Sequence, residues 1–198
     1  MRRLSRPRFS ASPNVMHRKT LHRYNQPGDA RFLTFSCYRR HQFLLSERTK
    51  EWLGDSVVRA CGLHNVALSG YVFMPEHVHL LVRPREAVHD IGDFLRSVKE
   101  SVTRKAMGYR RSCGLPESAW EKYLDVDSGR VRFRLWQTGG GYDRNLFTKD
   151  EVIEKLTYMH NNPVVRGLCE LPTDWKWSSA AFYEGRDVGP ISVERGQL

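Results

Sequence analysis

His77-Val78-His79 is where this chain could hold a metal ion. The triplet sits inside Tyr71-Val72-Phe73-Met74-Pro75-Glu76-His77-Val78-His79-Leu80-Leu81-Val82, which is mostly apolar. In a strand, side chains alternate, so His77 and His79 share one face and lie roughly 6–7 Å apart along the backbone. Val78 then points to the opposite face, into a core. Two imidazoles at that spacing can reach one cation. The same pair also reads as two structural histidines, each needing a hydrogen-bond partner on that face. A second constellation follows some 80 residues later, in Tyr158-Met159-His160-Asn161-Asn162-Pro163. Tyr158 and Asn162 are one helical turn apart. A phenol can act as a nucleophile, although it ordinarily ionises near pH ~10 and needs help at neutral pH. Tyr158 and Asn162 also read as ordinary surface residues.

The elements that must position these groups can be read from pattern. Arg31 to Tyr38 is strand-like. Ser46 opens a helix of about 15 residues with apolar Trp52, Leu53, Val57, Val58 and Cys61, ending near Gly62. Val66–Phe73 and His77–Val82 are two strands joined by a turn at Met74-Pro75-Glu76, an antiparallel hairpin. A helix starts around Asp90, with Ile91, Phe94, Leu95, Val98 and Val102 as its buried stripe and Arg96, Lys99 and Arg104 off it. Residues 108–130 read as a poorly patterned, charge-rich insertion. Arg130, Arg132 and Arg134 then alternate with Val131, Phe133 and Leu135, which places three arginines on one strand face. That face is either solvated or bound to phosphate. Gly139-Gly140-Gly141 lacks the Lys-Ser/Thr of a P-loop, so its glycines serve a turn or a close approach. Thr148-Lys149-Asp150-Glu151 is a capping box that starts a helix expected to end near Asn162, before Pro163. Ile153, Leu156 and Met159 cluster on one side of it with Val152 and a structural His160, while Tyr158 and Asn162 lie on the other. The aromatic cluster Trp175-Lys176-Trp177 is read as packing over the sheet rather than stacking on bases.

The chain has 198 residues and a net charge of +10. That balance favours an anionic partner, most often nucleic acid. Arg2, Arg3, Arg6, Arg8, Arg18, Lys19 and Arg23 oppose Asp29 alone, so +6 of the charge lies in the first 30 residues. This stretch reads as a mobile basic arm that touches phosphates. It has no apolar run long enough for a signal peptide or membrane span. Cys37, Cys61, Cys113 and Cys169 form no C-x-x-C pair, so reduced thiols in a cytosolic protein are expected.

Taken together, these segments resemble the single-tyrosine HUH (insertion-sequence 200-like) transposases, and within them the REP-associated tyrosine transposases of bacteria. The resemblance runs over about residues 22–180. It rests on His22-Arg23-Tyr24-Asn25-Gln26-Pro27-Gly28, the Met74–Val82 run, Trp136-Gln137, Tyr142-Asp143-Arg144-Asn145, Tyr158 to Leu168, and Asp174 to Ser179. Glu76 stands where the family usually has Asn, and residues 108–130 diverge. The resemblance implies a ferredoxin-like α+β fold, an antiparallel sheet with helices packed on one face and the site on the other. It implies that Tyr158 is the catalytic nucleophile and that His77, His79 and Asn162 ligate a divalent metal, Mg or Mn. It implies cleavage and strand transfer of single-stranded or hairpin DNA through a 5′-phosphotyrosine, that is, DNA transposition. The alternative is a catalytically inactive or domesticated DNA-binding protein of the same fold, and a third reading is a metal-dependent hydrolase that uses activated water. Arg96, Lys99, Arg130, Arg132 and Arg134 are the expected DNA contacts, with Trp136 and Tyr142 stacking on unpaired bases. The expected organisation is a basic arm over 1–25, one catalytic domain over 26–180 and a C-terminal tail over 181–198. A monomer or homodimer associated with the bacterial nucleoid, in the cytoplasm and off the membrane, completes the expectation.

Overall fold

The computed structural model describes residues 29–86, 90–127, 129–139, 141–186 and 189–195. The expected basic arm, and the His22–Gly28 motif, lie outside them. A four-stranded sheet forms the frame. Its strands are β1 (Ala30–Ser36), β2 (Val66–Phe73), β3 (His77–Pro84) and β6 (Tyr142–Leu146), in the order β2-β3-β1-β6, with every neighbouring pair antiparallel. Helix α1 (Glu47–Leu63) connects β1 to β2, and α2 (Ile91–Ser112) leaves β3 on the way to β6. The connectivity is two interleaved split β-α-β units. A small hairpin of β4 (Leu124–Asp127) and β5 (Arg130–Phe133) interrupts the second unit. Helix α3 (Lys149–Val165) and the short α4 (Ala180–Tyr183) follow.

The strands are apolar on both faces, and this decides the layering. Leu33, Phe35, Val78, Leu80 and Val82 face α1 and α2, burying Leu53, Val57, Phe94, Leu95, Val98 and Val102. The α2 stripe is the one its periodicity predicts. On α1, Val58 is 54% exposed and does not join the core. Phe32, Val72, Leu81 and Leu146 face the other way and are covered by Val152, Leu156 and Met159 of α3. The helices therefore do not all lie on one face, as expected from sequence. The second apolar face had to be covered, and α3 covers it. Gly70 permits the approach: a Cβ there would sit 2.6 Å from Met159 Cε and 2.9 Å from Leu156 Cδ2. Such distances require the ends of both side chains to move.

Helix starts are satisfied locally. Ser46 Oγ accepts from Thr49 N at 3.3 Å, and Asp90 Oδ1 accepts from Gly92 N at 2.7 Å. The capping box on α3 is present in both directions. The expected end of α3 at Asn162 is not observed, since the helix runs through Pro163 to Val165. Proline removes one donor but tolerates a helical φ. The backbone bonds resume beyond it, from Arg166 N to Asn162 O at 3.1 Å and from Leu168 N to Pro163 O at 2.9 Å.

Residues 108–130 are organised rather than loosely inserted. Helix α2 continues to Ser112, a 3₁₀ turn spans Glu117–Tyr123, and Trp120 and Tyr123 are buried from it. Two anchoring aromatics three residues apart make no long periodic pattern, which is why the stretch reads as irregular. Of the expected apolar face, Leu135 is in the core and Phe133 packs against it, but Val131 is 62% exposed. The segment expected as a C-terminal tail packs onto the α1 side of the sheet. Ile191 and Val193 are in the core, and Glu194 N donates to Leu68 O at 2.8 Å. Trp177 is buried in that same core, so the aromatic cluster packs as expected. All four cysteines are free.

Candidate active site

The β1–β3 register sets the site. Thr34 pairs with His79 and Ser36 with His77, so Thr34, Ser36 and both histidines occupy the α3 face of the sheet. The imidazoles converge: His77 Nε2 and His79 Nε2 are 3.0 Å apart. Their other nitrogens are held from outside, His77 Nδ1 by Glu76 Oε1 at 3.0 Å and His79 Nδ1 by Thr34 Oγ1 at 2.9 Å. A carboxylate only accepts, so His77 carries its proton on Nδ1 and presents a bare Nε2. Two proton arrangements then satisfy the pair. In one, His79 Nε2–H donates to His77, and the Thr34 hydroxyl donates to His79. In the other, His79 donates to Thr34, and two lone pairs face a common cation. The second is the usual arrangement of ligating histidines, each oriented by an outer partner.

Burial pushes His79 down to about 3, with the charges of His77 and Arg40 adding to it. His77 is also lowered, mainly by burial, against the opposing effect of Glu76. Both imidazoles are thus neutral at physiological pH, as metal binding requires. Burial alone would raise the Glu76 carboxyl, but it is held low by its hydrogen bond from Arg166 and by His77. With His77 itself neutral, the Arg166 contact is the one that counts. That contact is 2.7 Å long and ties α3 to the turn before β3.

Helix α3 brings the other candidate groups. Tyr158 is 54% exposed. Its ring centroid is 5.8 Å from that of His79 and 6.1 Å from that of Phe32. Asn162 lies one turn further on and Arg166 one turn beyond that, so Asn162 falls between the contact with His79 and the contact with Glu76. Its Oδ1 is buried without a hydrogen-bond partner among the described residues. A buried amide oxygen with no donor is costly unless something else satisfies it. A cation between the two Nε2 atoms and this oxygen would do so, and the donor set of two imidazoles and an amide suits a divalent ion. Among the described residues, no three His, Cys, Asp or Glu side chains converge as a metal site. The candidate set contains only two of those residue types' side chains.

The expected DNA-contact residues divide. Tyr142 is 48% exposed and packs edge-on against Phe32, on the site face. Lys99 lines a cavity with Thr34 and Ser36. Trp136 is 7% exposed, and its Nε1 donates to Lys99 O at 3.0 Å, so its ring cannot stack on a base. Arg134 is matched by Asp125. Arg96 lies on α2, on the opposite layer, paired with Asp93. Arg130 and Arg132 are exposed on the separate β4–β5 hairpin. Thr34, Arg40 and Arg166 were not singled out from sequence. Thr34 is marked only by cross-strand register, and Arg166 is hidden behind Pro163.

No protein-family model matches the chain. It is similar to known transposases. A curated relative from Haemophilus influenzae, described as a putative REP-associated tyrosine transposase, is 26% identical over 144 residues, covering 69% of this chain and 75% of the relative. Among solved structures, a REP-associated tyrosine transposase bound to a REP hairpin superposes with a TM-score of 0.62 at 20% identity, covering 90% of this chain and 93% of that one. A putative transposase from Deinococcus radiodurans superposes with a TM-score of 0.44 at 18% identity, over 76% of this chain and 97% of that one. The likeness to the hairpin-bound structure establishes a shared α+β fold. No helix among the described residues is long and apolar enough to cross a membrane.

His160 is structural, as its position predicts. Its Nε2 lies 2.9 Å from Ser179 Oγ, and burial pushes it down to about 4. The unfolded chain, with an ordinary histidine near ~6.5, therefore binds a proton between those values that the folded chain does not. Stability is full above pH ~6.5 and falls with acid at about 1.4 kcal/mol per pH unit for this group. His79 and His77, also lowered by burial, add acid sensitivity of the same sign, so denaturant unfolding at pH 7, 6 and 5 should show a steeper total slope that His160→Gln reduces by this amount. Parallel wild-type and variant curves would assign the acid sensitivity elsewhere.

Proposed function

We propose that this chain cleaves and rejoins single-stranded DNA, with Tyr158 as nucleophile. The observation that carries the proposal is the convergence of His77 and His79 Nε2 at 3.0 Å, with the Tyr158 ring stacked edge-on against His79. The topology is read as ferredoxin-like, and the similarity to transposases supports the same assignment. DNA transposition, or the excision and resealing of a related repeat, is the activity proposed. The curated relative's description and the hairpin bound in the solved structure favour a single strand folded as a hairpin as substrate.

The Tyr158 Oη would attack the scissile phosphorus in line. One P–O bond forms to the phenol and the bond to O3′ breaks. The products are a 5′-phosphotyrosine and a free 3′-OH. The phenol loses its proton to solvent, and the departing oxygen gains one. Because the covalent link is again a phosphodiester, a later 3′-OH can attack it, reseal the strand and release Tyr158 without ATP. His77, His79 and Asn162 would hold a divalent ion, Mg or Mn. When bound, it would supply charge neutralisation on the non-bridging oxygens. Thr34 and Glu76 keep the imidazoles turned toward it. Arg166 holds α3 to that turn, fixing the height of Tyr158 over the histidines. Lys99, Arg130 and Arg132 are proposed as backbone contacts and Tyr142 as a stacking surface.

The experiment is incubation of the protein with a hairpin strand, a perfect duplex of the same length, and Mn²⁺. A covalent adduct should form with the hairpin, and mass spectrometry should place the nucleotide on the Tyr158 peptide. Binding to the hairpin should exceed binding to the duplex and weaken steeply with salt. Hairpin binding with no adduct would instead identify an inactive DNA-binding protein.

A further inference from the structure

The connection leaving β1 carries backbone strain beside the histidines. Arg39 and Arg40 have φ of 50° and 58°, two consecutive non-glycine residues in the left-handed region. That conformation crowds Cβ against the following carbonyl. It persists only where surroundings over-determine it, and such residues cluster at functional sites. Here the surroundings are explicit. Tyr38 OH donates to Asp125 at 2.9 Å, Arg39 N donates to Gln137 Oε1 at 3.2 Å, and Leu44 N donates to Pro75 O at 2.9 Å.

The strained turn delivers Arg40 to a cavity of about 200 Å³ lined by Thr34, Ser36, Lys99, Gln137 and Tyr142 among others. Thr34 is the residue bonded to His79, and Ser36 is the register partner of His77. The cavity therefore adjoins the histidine pair. Two cations and, among the described residues, no acid line it. Lys99 is occupied in part, its Nζ lying 5.0 Å from the Phe35 ring centroid. Arg40 is exposed, and its guanidinium has no hydrogen bond or ion pair with the described residues. The chain thus holds an unmatched guanidinium in a strained conformation, over a polar cavity, next to the candidate reacting centre.

We propose that this cavity is a phosphate subsite for a nucleotide adjoining the scissile linkage, with Arg40 as its anion-binding group. The proposal rests on the reading of the histidine–tyrosine site as a DNA-cleaving centre. A guanidinium suits a phosphodiester because its fork matches two phosphate oxygens. The hydroxyls of Thr34 and Ser36 and the amide of Gln137 offer further donors, and the exposed Tyr142 ring stands at the edge for sugar or base.

The test is the salt dependence of binding of a single-stranded hairpin by the full chain. One phosphate contact on a single strand is worth a slope of about 0.7 in log K against log salt. Arg40→Gln should lower the slope by about that amount, and Arg40→Lys should restore it. In a scan of single neutral methylphosphonate linkages, one position should lower the wild-type slope and leave Arg40→Gln unchanged. Equal slopes for wild type and Arg40→Gln, or a scan that affects both proteins alike, would overturn the subsite. Inorganic phosphate should compete only weakly, and full competition by it would make the cavity an ion site rather than a strand site. Arg40→Gly relieves the backbone, so it should lose the same slope while unfolding no earlier than wild type. Earlier unfolding would assign Arg40 to folding. Adduct formation at Tyr158 is scored separately. A slope loss without any adduct removes the cleavage reading and leaves the phosphate site, whereas an adduct with unchanged slopes does the reverse.

Discussion

Tyr158→Phe should abolish the covalent protein–DNA adduct and leave the fold intact. The ring of Tyr158 packs edge-on against Phe32 and His79, and phenylalanine preserves both contacts. The residue is 54% exposed, so losing the hydroxyl should change stability by no more than about 0.5 kcal/mol. The chemical effect is of another order. Removing a nucleophile outright costs on the order of 10⁴-fold or more in rate. Tyr142 is the rival to exclude, because it is also exposed and also packs against Phe32. Tyr142→Phe should keep the adduct on Tyr158, since among the described tyrosines only Tyr158 packs against a candidate ligand and precedes Asn162 by one turn. Tyr123 is buried and on the other layer. Denaturation midpoints, adduct yield and peptide mapping decide the matter together. Cleavage surviving in Tyr158→Phe would point to water as nucleophile, and an adduct mapping to Tyr142 would move the site by one strand.

Much of this frame is legible in the sequence. Period-two alternation placed His77 and His79 on one face, because a strand allows no other arrangement. Pro75 marked the hairpin, and the Ser46, Asp90 and Thr148 caps marked the helix starts. The α2 stripe was legible because its apolar residues recur at helical spacing over three turns. What failed shares a cause: it depends on partners distant in sequence. Trp136 reads as a stacking surface, but α2 covers it and accepts its N–H. Arg134 reads as a phosphate contact, but Asp125 lies beside it. Ile153 looked like core and is 44% exposed, because α3 turns Val152 and Leu156 inward instead.

Two misreadings had signals in the sequence. The continuous apolar runs at 71–74 and 80–82 mark strands buried on both faces. They required a cover on the histidine face, and α3 was the amphipathic element left to provide it. Pro163 was read as a stop, although proline is a bias against the preceding helical residue rather than a prohibition. The extra turn matters, because it carries Arg166 to Glu76. Glu76 is therefore part of a local network joining His77 to α3, the helix that carries Tyr158.

Alanine at either histidine should remove a divalent-ion effect that is visible without any DNA. An ion that binds the folded chain alone stabilises it by RT ln(1 + [L]/Kd), about 2.7 kcal/mol at a hundredfold excess over Kd. Millimolar Mn²⁺ should thus raise the unfolding midpoint of the wild type. His77→Ala and His79→Ala should lose the rise, because each removes one of the two converging Nε2 donors. Asn162→Ala should weaken it less drastically, since an amide oxygen is the weaker donor, and should relieve its partnerless buried Oδ1. Thr34→Val keeps the shape at His79 but removes the partner of Nδ1, and loss of such an outer contact typically costs ~10–100-fold in metal affinity. Adduct formation should follow the same ranking, whereas hairpin binding should remain largely intact in the His77, His79 and Asn162 variants, because it is carried by phosphate contacts elsewhere. A wild-type midpoint indifferent to Mn²⁺, or a His79→Ala protein that still forms the adduct at the wild-type rate, would show that the two imidazoles bond to each other and hold no ion.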